Sequence, residues 1–252
     1  MLDRGAFIRP IAHRGLHDAS AGVIENTGSA FAAAIAAGYG IECDLRPAAG
    51  GLPVVFHDVT LDRLVDASGP VSRLGVSDLA RLRYRDAGES ILTFADLLDL
   101  VDGSVPLLVE VKSEWRPAEP RFLAEIARLA ATYMGPVALM SFDPAVMTAL
   151  RELAPAVPRG IVSGRYRNDD AEGWWGDVLS PDRQERLTHL LESGPAAPDF
   201  YAYHVAALPT PVTRFVREVL GLPLLAWTVR SSEERARAAQ WADAPIFEGL
   251  RP

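Results

Sequence analysis

The chain has 252 residues, 49% of them apolar and 23% charged, an ordinary globular composition with length enough for a sizeable core. Its net charge of −8 comes from 33 acidic and 25 basic side chains with no basic run, which speaks against a nucleic-acid backbone as partner. Cys43 is the only cysteine, which excludes an intramolecular disulfide; there is no secretory-type start and no apolar stretch approaching ~18 residues, so a cytoplasmic setting without stable membrane insertion is expected.

In chain order, apolar runs of strand length alternate with helix-like segments. The first strand, 10–13, ends in His13-Arg14-Gly15. Residues 27–37 read as a helix, with Asn26 or Thr27 as N-cap and Gly38 as its stop. The second strand covers 40–45, and 53–56 forms a short extra one. Residues 59–91 form a small excursion on top of the barrel, before a helix over 94–101. Strands then follow at 105–112, 137–141, 157–162, 200–204, 222–229 and 245–248. Helices are expected between them at 119–132, 144–153, 181–191, 211–220 and 231–241. Several open on proline, whose missing N–H costs little in a first turn, and Ser231 with Glu234 has the spacing of a capping box. Trp174-Trp175 marks a second long loop.

Eight strands alternating with helices over this length predict an α/β fold, a closed TIM-type (β/α)8 barrel. The expectation is a single barrel domain over 1–252, with the excursion at about 59–91 inserted in it. A doubly wound open sheet is the competitor, but it would carry a glycine-rich phosphate loop after the first strand, and none is present.

Barrel enzymes build their sites at the carboxyl ends of the strands. His13 there suits proton transfer near neutral pH, and Arg14 suits a bidentate hold on phosphate. Glu42 and Asp44 are two apart on one strand and share a face, so both carboxylates meet at the barrel mouth. Such neighbours repel unless a divalent cation joins them, and oxygen ligands favour Mg²⁺ or Ca²⁺. His57 ends the short strand beside Asp58, which either orients it or caps the next turn. Glu110 and Lys112 again share a face, as a mutual ion pair or as ligands for a metal and a phosphate. Trp227 offers an apolar wall or a core contact. Each piece alone also fits a strand end with no function, but together they gather two histidines, three carboxylates, an arginine and a lysine at one mouth.

The series His13-Arg14-Gly15, Glu25-Asn26-Thr27, Glu42-x-Asp44, His57-Asp58, Glu110-x-Lys112 and Trp227-Thr228 resembles the glycerophosphodiester phosphodiesterases, in the family's order and over nearly the whole chain. The resemblance implies hydrolysis of a small glycerophosphodiester to glycerol 3-phosphate and an alcohol. It implies a divalent metal, Mg²⁺ or Ca²⁺, on Glu42, Asp44 and Glu110, with His13 and His57 as the acid–base pair. It assigns Arg14 and Lys112 to the phosphate and sets Glu25 and Asn26 at the site's edge, supporting the phosphate or the metal; Trp227 would contact the substrate. Two positions depart from the family pattern. Ile24 stands where proline is usual, and Glu248 falls near an aspartate of the last strand. Two rival readings are a lysophospholipase D-like phosphodiesterase and a non-catalytic binding barrel. A zinc amidohydrolase is excluded, because it would need His-x-His where this chain has His13-Arg14.

Overall fold

The computed structural model describes residues 1–85, 87–166 and 178–251. Its strands are β1 (Ile11–Ala12), β2 (Gly40–Pro47), β3 (Pro53–Val55), β4 (Leu107–Val111), β5 (Val137–Ser141), β6 (Arg159–Ser163), β7 (Phe200–His204), β8 (Leu224–Val229) and β9 (Ala244–Phe247). The described α-helices are α1 (Arg4–Phe7), α2 (Gly28–Ala37), α3 (Val76–Leu79), α4 (Phe94–Val101), α5 (Pro120–Thr132), α6 (Pro144–Leu153), α7 (Pro181–Thr188), α8 (Pro211–Glu218) and α9 (Ser232–Trp241). The loop expected around Trp174-Trp175 lies outside the described residues.

β1 pairs in parallel with both β2 and β9, which closes the sheet into a ring of eight parallel strands. That closure rules out the open doubly wound sheet. β3 stands outside the ring, antiparallel to the end of β2. Side chains alternate along each strand and sort into two cores. Ile41, Cys43, Leu45, Val109 and Val111 point outward to the helices. Ile11, Leu108, Met140, Val162, Phe200, Leu225 and Ile246 fill the interior, and Leu2 and Phe7 pack against them from the chain's N-terminal end.

The helix boundaries follow local chemistry. Thr27, not Asn26, caps α2 by accepting from the Ala30 N–H, and Gly38 ends it in the left-handed region. Thr93 with Asp96 and Ser231 with Glu234 form capping boxes on α4 and α9. α7 stops at Thr188 rather than 191, because Leu190 turns to φ 59°. α8 likewise stops short, at Glu218. The first strand is only two residues long, because Arg14 (φ 55°) and Gly15 (φ 79°) swing the chain out of extended geometry. Among the described residues no helix is long and apolar enough to cross a membrane.

Gly160 in β6 shows how tightly the interior is filled. A Cβ there would lie 2.3 Å from the Phe200 ring. Gly160→Ala should therefore destabilise the fold by about 1–3 kcal/mol through overpacking. A thermal melt checks this, and an unchanged midpoint would remove the packing account.

Candidate active site

Strand alternation and register together build the centre of the site. Glu42 and Asp44 take the inward positions of β2, and the β2–β4 register sets Asp44 beside Glu110. All three carboxyls are buried, and each offers an oxygen within 4.8 Å of the others. Lys112 continues the inward face beyond β4, and its Nζ lies 2.8 Å from Asp44 and 2.6 Å from Glu110. Arg14 Nε lies 3.2 Å from Asp44 on the other side.

The charges do not close. Glu42 accepts the Arg14 backbone N–H through Oε2 at 2.9 Å, while its buried Oε1 has no hydrogen-bond partner. Burial, then the neighbouring Asp44 and Glu110 carboxylates, push the Glu42 pKa well above the usual range. Burial acts the same way on Asp44, but Lys112, with other nearby cations, overrides it and holds Asp44 well below. A buried oxygen-only cluster with one orphaned oxygen and one carboxyl driven toward its neutral form fits a hard divalent cation.

Both histidines are oriented from behind. His13 Nδ1 lies 2.8 Å from Glu248 Oε2, and His57 Nδ1 lies 2.7 Å from Asp58 Oδ1. Burial would raise the Glu248 pKa, but the His13 contact and nearby cations hold it at about 2. Asp58 is likewise held below the usual range against its burial, by His57 and Arg63. Ionised carboxylates accept, so each imidazole donates Nδ1–H and leaves Nε2 as its second ring nitrogen. Burial lowers the His13 pKa to about 4 despite Glu248, which keeps that ring neutral.

The loop after β1 is shaped to present these groups. Gly15 could not be replaced without strain, since it sits at positive φ and a Cβ would come within 2.9 Å of Ala30 on α2. Asn26 (φ 59°) is buried and donates Nδ2–H to Asp44 at 2.9 Å. Glu25 accepts from Arg14 at 2.8 Å. Both thus brace site residues from behind, and neither lines the cavity.

His13, Arg14, Glu42, His57, Glu110, Lys112 and Trp227 all face one cavity of about 450 Å³. Asp44 does not line it but contacts Arg14 and Lys112, which do. The far wall is apolar, from Met140, Phe142, Val162, Trp227 and Ile246. Trp227 is fixed edge-on to Phe142 at 5.2 Å and donates its indole N–H to Ser163 O. His204 packs behind Trp227, with ring centroids 4.9 Å apart. His17 is half-buried and His189 exposed, and neither lines the cavity.

Sequence reasoning missed Arg46, which lines the cavity and donates to the His57 carbonyl. Its signal was available, because it lies two residues beyond Asp44 on the same strand. Arg63 was missed too; it comes from the excursion and had no local signal.

A (β/α)8 barrel with oriented histidines, cations and an acidic cluster at its mouth has the parts of a phosphoryl-transfer hydrolase. Comparison with known proteins agrees. Residues 13–247 match the model of the glycerophosphoryl diester phosphodiesterase family. The chain is 33% identical over 186 residues to "Probable glycerophosphodiester phosphodiesterase 1" of Mycobacterium tuberculosis, covering 64% of this chain and 67% of that protein. It is 29% identical over 175 residues to a glycerophosphodiester phosphodiesterase of Caldanaerobacter subterraneus subsp. tengcongensis, covering 65% and 69%. The fold is similar to an Oleispira antarctica phosphodiesterase solved with the product sn-glycerol-3-phosphate, with TM-score 0.72, 21% identity and coverage of 95% and 92%. It is also similar to the Thermotoga maritima glycerophosphodiester phosphodiesterase, with TM-score 0.70, 22% identity and coverage of 95% and 93%. The chain belongs to the glycerophosphoryl diester phosphodiesterase family, and so to the phosphoric diester hydrolases.

The acidic cluster gives a prediction independent of turnover. Mg²⁺ or Ca²⁺ should raise the melting temperature, with a stabilisation of about 2.7 kcal/mol at a hundredfold excess over Kd. Glu110→Gln should abolish the rise. Because the Glu42 pKa is raised, a cation competes with a proton there, so affinity should increase with pH. Calorimetric titration at two pH values reads this directly; a pH-independent affinity would separate Glu42 from the cluster.

Proposed function

We propose that this chain hydrolyses glycerophosphodiesters to glycerol 3-phosphate and an alcohol in a reaction that depends on Mg²⁺ or Ca²⁺. One observation carries the reading. Two histidines, each bound at Nδ1 by a carboxylate, face the same cavity as Glu42 and Glu110 of a three-carboxylate cluster and the cations Arg14 and Lys112. The product held by the Oleispira antarctica relative supports the substrate class.

Glu42, Asp44 and Glu110 would hold the divalent cation, which when bound neutralises charge on the phosphoryl oxygens. Arg14 and Lys112 bind the remaining phosphate oxygens and stabilise the charge that develops on them. One histidine takes a proton from the attacking oxygen, and the other gives one to the leaving alkoxide, which departs poorly without it. Each Nδ1 is already engaged, so each ring has only Nε2 for this exchange. The attacking oxygen is water or the substrate's glycerol 2-hydroxyl, and trapping a cyclic phosphate product would select the second. Trp227 and Phe142 cover the substrate's carbon skeleton and keep water off that side.

Release of glycerol 3-phosphate from a panel of glycerophosphodiesters, with and without chelator, tests the reading. Activity is expected only with the cation. His57→Ala should lower kcat by about 10²–10⁴-fold and leave KM within a few-fold. Near-normal turnover in a folded His57→Ala variant, or activity unaffected by chelator, would overturn the assignment.

A second reading, lysophospholipase D-like cleavage, has one observation in its favour. An apolar groove of about 590 Å³, lined by Pro117, Ala118, Leu123, Val146 and Leu153, shares Trp115 with the substrate cavity. Choline release from lysophosphatidylcholine at a rate matching glycerophosphocholine would favour it.

A further inference from the structure

The segment between β3 and α4 has a small core of its own. Leu61, Val65, Val71, Leu79 and Tyr84 pack there with Phe56. Glu89 ties the segment to α2, accepting from Ser29 N at 3.0 Å and Ser29 Oγ at 2.6 Å. Arg63 stands between Leu61 and Val65, both buried, in a turn closed by the Val65 N–H to Leu61 O bond at 3.0 Å. Its backbone is thus fixed from two sides while its side chain, 45% exposed, reaches to the site.

The guanidinium is shared between two carboxylates. Nε and Nη2 donate to the two oxygens of Asp58 at 2.6 and 3.0 Å. Nη1 and Nη2 donate to the two oxygens of Glu25 at 2.9 and 2.7 Å. Asp58 is the carboxylate that orients His57, and Glu25 is the one that holds Arg14. A continuous chain of charged contacts therefore runs His57–Asp58–Arg63–Glu25–Arg14.

We infer that Arg63 is a positioning residue that locks the proton-transferring His57 and the phosphate-binding Arg14 into one geometry. The inference rests on the roles proposed above for those two residues. Arginine is required because its planar fork grips two carboxylates bidentately at once, which a lysine ammonium cannot do. Without it, Glu25 and Asp58 would be left as two partly buried carboxylates without their shared cation. Each would then settle its charge by moving the partner it holds. Loss of Arg63 should accordingly disturb both ends together, turnover through His57 and substrate binding through Arg14.

The test is steady-state kinetics on Arg63→Ala with glycerophosphocholine and saturating Mg²⁺ or Ca²⁺. The expected result is a loss of about 10–100-fold in kcat/KM, with kcat lowered and KM raised together, the scale seen when the partner of an active-site group is removed. Free guanidinium ion at sub-denaturing concentration should restore part of the loss, since the vacated site opens to solvent. Arg63→Lys should remain impaired. Arg83→Ala, an exposed arginine of the same segment, should behave as wild type and not respond to guanidinium. Should Arg63→Ala fail to fold, Arg63→Gln takes its place in the same assay. Wild-type kinetics in the variant, or a loss that guanidinium does not reverse, overturns the inference. His57→Ala run in parallel separates the two levels. If it keeps turnover, the functional reading itself has failed. If it is inactive while Arg63→Ala is normal, only the role of Arg63 has.

Discussion

Three buried carboxyls on two adjacent strands set the terms for the rest of the barrel mouth. Removing like charges from water costs several kcal/mol per ion unless countercharge and hydrogen bonds are supplied. Around Glu42, Asp44 and Glu110 the supply is built in layers. Lys112 and Arg14 come first, in direct contact with the cluster. Arg14 then needs Glu25, Glu25 takes Arg63, and Arg63 meets Asp58 behind His57. The charges alternate in sign from the buried centre to the rim. Each group is held by the one that neutralises it, so the site is ordered by electrostatics as much as by packing.

The barrel supplies what electrostatics alone cannot, a fixed origin for each side chain. Glu42, Asp44 and Glu110 ride on strands whose outward neighbours are locked in the helix-facing core. Their spacing is therefore set by register and pleat rather than by loop conformation. The histidines have looser origins. His13 follows a two-residue strand and His57 a three-residue one, both on chain that is leaving the sheet. Each has a carboxylate at Nδ1, and each of those carboxylates has an arginine, Arg230 at 3.3 Å from Glu248 and Arg63 at 2.6 Å from Asp58. Side-chain pairing there does what the strand ladder does for the acidic cluster.

This division explains what the sequence made legible. The strands read clearly because a parallel barrel strand is a continuous apolar run, and a charged residue inside one stands out. Glu42, Asp44, Glu110 and Lys112 were visible on that ground, together with the period of two. Asp58 beside His57 was open to reading as its orienting partner, but the other orienting contacts were not legible, because they join residues far apart in the chain. His13 and Glu248 are 235 positions apart, and Arg63 and Glu25 are 38. Nothing local marks Glu248 as a histidine partner rather than an exposed strand end. Asn26 illustrates a competition that sequence cannot resolve. It and Thr27 were equal candidates for the cap of α2; Thr27 takes the cap, and the Asn26 amide goes to Asp44.

Lys112 shows how the alternatives its sequence position allows relate. It could be read as the ion-pair partner of Glu110 or as a phosphate ligand, and the observed contacts are to Glu110 and Asp44. Under the proposed function the two readings belong to different stages of one cycle. A carboxylate cluster this buried cannot release its only close ammonium to a phosphate without another positive charge taking its place. The same holds for Arg14, which Asp44 and Glu25 now share. The carboxyls that fit a divalent cation are thus the ones that keep Arg14 and Lys112 engaged. Under that function cation and substrate anion would be linked through shared partners, and by thermodynamic reciprocity any strengthening of one by the other would be mutual.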